Sequence, residues 1–82
     1  MDPRDEELVK TLAPEDADLK RSYERHARLK AEVAELSSRP YLTSDEEVRR
    51  RELQKQKLAE KDRIVRMLSE YRRTHGEATS SS

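Results

Sequence analysis

The chain has 82 residues, 44% of them charged and 32% hydrophobic, with no Cys, Trp or Phe and a net charge of zero. Globular domains carry about 25% charged and roughly 45–50% apolar residues, so this inventory fills one small domain with a thin core at most. It excludes a disulfide framework and a thiolate metal site, and no apolar run approaches the roughly 18 residues of a membrane span.

The acidic start, MDPRDEELVK, is unlike a signal peptide, so a cytoplasmic location with no membrane partner is expected. Charge is unevenly spread: residues 1–19 hold seven acids and two bases, while residues 20–73 hold sixteen bases and ten acids. High charge with few aromatics also fits disorder. Hydrophobic periodicity therefore has to decide.

In chain order, residues 1–13 form an acidic leader with only Leu8, Val9 and Leu12 to dock, and it is expected to be weakly ordered. Pro14, Glu15 and Asp16 then read as a helix opening, since proline suits the first helical position and carboxylates suit the positive end of the dipole. From about 14 to 37 the three-four spacing holds. Leu19, Ser22, His26, Leu29, Val33 and Leu36 fall on one seam, flanked by Tyr23, Ala27 and Ala34.

Residues 38–43 form the turn, because Pro40 pushes Arg39 out of the helical region and the serines favour turns. A second helix is predicted over about 44–73. Thr43 with Glu46, or Ser44 with Glu47, has the capping-box spacing, and Leu42 or Tyr41 is placed to staple the start. Its apolar stripe is read as Leu53, Leu58, Ile64, Val65 and Leu68, with Lys57 and Lys61 in the middle. Residues 74–82 read as a disordered polar tail.

The short connection predicts an all-α fold, an antiparallel two-helix hairpin of coiled-coil type. Turning near 40–42, it pairs residues whose numbers sum to about 83, an estimate that rests on the loop alone. His26 then faces Lys57 and Ser22 faces Lys61, which predicts an interhelical polar layer of four residues. Three arrangements of the lysines stay open. They snorkel toward water, Glu60 or Glu24, they pair with carboxylates of a second copy, or they set the register as a polar layer. In each case an ammonium beside His26 predicts a neutral imidazole at pH 7.

Two narrow seams bury little, so self-association is expected, with a dimer forming a four-helix bundle, or docking on another protein. The residues predict no enzyme, no cofactor and no metal site. The only histidines, His26 and His75, have no partner at metal-ligand spacing, and a helix surface offers no concave pocket for RSYERH to line. RRRELQKQK (49–57) is basic but lacks interleaved aromatics and a groove-reading motif. Regulation of a nucleic-acid machine, or direct nucleic-acid binding, is therefore the second reading. The first is an adaptor, scaffold or oligomerising module.

The stretch SYERHARLKAEVAEL followed by DEEVRRRELQKQKLAEKDRIVRML resembles the YdcH-like family of short bacterial helical-hairpin proteins, whose function is unassigned. The resemblance spans roughly residues 19–68 and rests on His26, Leu29 and Val33, then Asp45, Glu46 and Leu53, then Lys57, Leu58, Lys61, Asp62 and Ile64. It implies a bacterial cytosolic hairpin and singles out His26, Lys57, Leu58, Lys61 and Asp62. Lys30 and Arg63 depart from the family pattern, which has acids there, so ion pairs typical of the family are not carried over to those positions.

Overall fold

The computed structural model describes residues 2–75. Three α-helices account for most of them: α1 (Pro3–Leu12), α2 (Ala17–Ser37) and α3 (Ser44–Thr74), with a 3-10 turn at Ala13–Glu15. Helices α2 and α3 pair as an antiparallel hairpin, and α1 packs against both at the open end. The molecule measures 50 × 25 × 17 Å. The expected tail falls mostly outside the described residues; of it, Thr74 ends α3 and His75 caps it.

Residues 3–12 are helical where a weakly ordered leader is expected. Asp2 caps the helix by accepting from the Arg4 amide at 2.9 Å, Pro3 opens it, and Asp5 and Glu6 sit in its first turn. Ten residues rarely hold a helix alone. Here tertiary contact supplies the missing stability: Val9 is fully buried, with Leu8 and Leu12 packed beside it on Leu19, Ile64 and Leu68. Two polar ties finish the dock. The Tyr23 hydroxyl donates to Glu6 Oε1 at 2.8 Å, and Arg72 donates to Asp5 at 2.9 Å.

Helix α2 begins at Ala17, not at Pro14. The extended residue Asp16 is its cap, accepting from the Leu19 amide at 3.1 Å, and Pro14 belongs to the 3-10 turn that joins α1 to α2. The helix stops at Ser37, where the Ser38 hydroxyl donates back to the Glu35 carbonyl at 2.8 Å. Arg39 then reaches Glu35 on one side and Glu46 on the other, tying the two arms at the tip. At the start of α3, Thr43 and Glu46 form the reciprocal capping box, with the Glu46 amide donating to Thr43 Oγ1 at 3.1 Å and the Thr43 amide donating to Glu46 Oε1 at 2.9 Å. That backbone bond, helped by Arg39, holds the Glu46 carboxyl below its ordinary pKa. Leu42 is the staple; Tyr41 points into solvent.

The core is two clusters strung along one seam. At the open end, Val9, Leu19, Ile64 and Leu68 are at most 1% exposed. Toward the tip, Leu29, Val33, Leu36 and Leu53 stay 7–8% exposed. The difference is α1, which covers the first cluster and leaves the second to two helices alone.

Candidate interaction surface

The α2 seam comprises Leu19, Ser22, His26, Leu29, Val33 and Leu36, and these are the buried residues of that helix. On α3 the buried positions are Leu53, Glu60, Ile64 and Leu68. Leu58 and Val65, expected on the apolar seam, are 48% and 38% exposed. The reason is angular. At 100° per residue they lie roughly 100–120° round the helix from Ile64, whereas Lys57 and Glu60 complete the 53-57-60-64-68 spacing that faces α2.

The polar stretch between the two clusters is therefore built differently from the expected layer. Ser22 and His26 are buried on α2, Glu60 is buried on α3, and Lys57 and Lys61 are half-buried at its edge. Half-burial suits a side chain whose stem covers apolar surface while its ammonium stays in water. Glu60 does not pair with either lysine; its carboxylate lies 3.7 Å from Arg25 Nε. Periodicity read without regard to polarity is the signal that locates Glu60. Asp62 faces solvent.

His26 lies where three elements meet. Burial pushes its pKa below the ordinary value, the ammonium groups of Lys30 and Lys57 push the same way, and Glu6 of α1 opposes them. The direction agrees with expectation, but burial and Lys30 outweigh Lys57 as its cause. The imidazole is neutral at pH 7. Because the folded state resists protonation, its contribution to stability is complete above the unfolded value of about 6.5 and is lost as pH falls from there through the lowered folded value. An NMR titration is expected to place the His26 midpoint below that of an exposed histidine. A midpoint at or above 6.5 contradicts this environment.

The hairpin presents two flanks. Arg25–Glu60 and Glu32–Arg49 (3.9 Å) mark the first. Toward the tip this flank opens into a groove of about 420 Å³ with Leu36 and Leu53 at its base, Glu32, Glu35, Arg39 and Arg49 along its sides, and Ala31 at its outer rim on α2. The second flank carries α1, held by Tyr23 of α2 and Arg72 of α3. On it lie His26 and Lys30 of α2, and Gln54, Leu58, Lys61 and Val65 of α3, with Lys57 at the seam edge.

Among the described residues no three His, Cys, Asp or Glu side chains are arranged to hold a metal ion, and no helix is long and apolar enough to cross a membrane. The tip groove is open to solvent along one side of a rod, a surface suited to another helix.

Fold and surface together define a small helical hairpin with a docked N-terminal helix. A family model described as a protein of unknown function, DUF465, matches residues 19–68. The chain belongs to that family, which includes the YdcH-like proteins. No curated protein and no solved structure matches it. The matched span covers most of α2 and α3 and does not include α1.

Proposed function

We propose that this chain is a non-enzymatic, cytoplasmic interaction module that works by pairing with a second copy through the tip groove and by presenting its remaining surface to another protein. The observation that carries the reading is the uneven sealing of the core. One cluster is closed by α1, and the other lies under an open groove whose floor is Leu36 and Leu53. The groove edges bear acids on α2 and bases on the turn and α3. A second copy laid across in two-fold fashion sets its acids against these bases and the reverse, as an isologous contact requires. Ala31 offers a small apolar contact at the outer rim of the groove, where the second copy passes over α2. Two hairpins joined in this way form a four-helix bundle.

The Ala31→Glu variant tests the reading. Residue 31 is exposed in a single chain, so the substitution leaves the hairpin intact and places a carboxylate at the outer rim of the groove. Sedimentation velocity is expected to show dimer for the unaltered chain and monomer for the variant, with the same helicity by circular dichroism. An Ala31→Glu chain that dimerises as strongly as the parent overturns the assignment of the groove.

A second reading, contact with nucleic acid or a nucleic-acid machine, is favoured by Arg51, Lys55 and Arg66 on the outer face of α3. They lie within about 60° of one another at 100° per residue, and no described carboxylate lies within ion-pair distance of them. Binding of this kind weakens steeply with added salt. Dimerisation through the tip does not depend on these three residues.

A further inference from the structure

The flank that carries α1 continues toward the tip past the end of that helix. Val9 and Leu12 of α1 face Leu19, Ile64 and Leu68, and one turn earlier on the same face come Asp5 and Glu6. The inward side of α1 is thus apolar in its C-terminal half and acidic in its N-terminal half. Asp5 meets Arg72 and Glu6 meets Tyr23, and Glu6 lies close enough to His26 to act on its charge. There α1 ends, at Pro3.

Beyond that end the flank is basic. Lys61, Lys57 and Lys30 follow, and no described carboxylate lies within ion-pair distance of any of them. Leu58 and Val65 form an exposed apolar rim on the same side. Gln54 lines it too, with its Oε1 atom buried and without a hydrogen-bond partner. The charge argues against a second copy of the hairpin here, because like-charged flanks would meet.

We infer that this flank is a docking groove for an acidic amphipathic helix of a partner protein, and that α1 is a built-in occupant which such a helix displaces. The proposal rests on the reading of the chain as an interaction module and names the chemistry of its partner. The preferred occupant repeats the pattern of α1, aliphatic residues over Leu19, Ile64 and Leu68, and extends it with about two further turns bearing acids toward Lys61, Lys57 and Lys30. A ten-residue helix is intrinsically marginal. Displacing it costs only its docking contacts, and a longer helix replaces those and neutralises three lysines.

The test uses the full chain and a fluorescein-labelled synthetic peptide, residues 2–12 carrying Pro3→Ala, so that the helix continues, and extended at the N-terminus by the acidic amphipathic segment EELEELL. Fluorescence anisotropy is expected to show saturable binding to the parent chain. Asp5→Asn/Glu6→Gln, which loosens α1 and leaves the groove unchanged, is expected to tighten binding about tenfold, since two charge-assisted contacts no longer compete. Lys57→Glu/Lys61→Glu is expected to weaken it about tenfold or more, with helicity preserved.

Absence of saturable binding overturns the proposal, as does binding that ignores both variants or weakens when α1 is loosened. If loosening α1 raises the dimer fraction and the peptide does not bind, the groove belongs to α1 of a second copy and the partner assignment fails. Dimerisation through Ala31 is measured separately and lies on the opposite flank, so failure here leaves that reading standing.

Discussion

Replacing Ile64 by alanine is expected to lower the unfolding free energy by about 2–5 kcal/mol, the usual cost of deleting a large aliphatic side chain from a closed core. Ile64 is fully buried, and its cluster joins all three helices through Val9, Leu19 and Leu68. A cavity there is bounded by elements that cannot all collapse into it, because α2 and α3 are held at the tip by Arg39 and α1 is held by its polar ties. Small domains have only about 5–15 kcal/mol in total, so the variant is expected to unfold at markedly lower urea concentration. The comparison has to be made at one protein concentration, since association adds to apparent stability. The matching substitution at the tip, Leu53→Ala, is expected to cost less in a single chain, because Leu53 already borders an open groove. Equal losses at both positions contradict the unequal sealing of the two clusters.

The second large effect concerns α1. Val9→Asp is expected to release that helix while leaving the hairpin folded. An ionised carboxylate at a fully buried position without a partner is too costly to keep. The chain avoids the cost by undocking ten residues rather than by unfolding twenty-one and thirty-one. Once undocked, a helix this short melts. Hydrogen exchange is expected to show loss of amide protection over residues 3–12 and persistence in α2 and α3. The Tyr23 hydroxyl, whose pKa is raised chiefly by its hydrogen bond to Glu6, is expected to titrate at a lower pH in the variant. Global unfolding of Val9→Asp, or protection of residues 3–12 unchanged from the parent, contradicts the description of α1 as a separable occupant.

The hairpin was legible in the sequence because its determinants are local. Thr43 and Glu46 form the expected capping box, Pro40 falls in the turn, and the α2 seam has strict three-four spacing through polar Ser22 and His26. On α3 apolar identity is a poor guide to the buried seam. Leu58 and Val65 attract the stripe to one flank, while the helix buries the charged position Glu60. Helix α1 was not legible. Three aliphatic residues in an acidic decapeptide carry little periodic signal, and its order depends on a surface assembled from residues more than fifty positions away, Ile64, Leu68 and Arg72. The same holds for the polar stretch. Its location near residues 22–26 and 57–61 follows from register, but the pairing of Glu60 with Arg25 follows from which side of the seam each residue occupies.

The most direct test of the proposed pairing is an isotope-filtered NOE experiment on a mixture of labelled and unlabelled full-length chain. The account predicts intermolecular contacts among the methyl groups of Ala31, Leu36 and Leu53, abolished by Ala31→Glu. The absence of intermolecular contacts at these methyls, in a sample where the parent chain gives a complete spectrum, would contradict it.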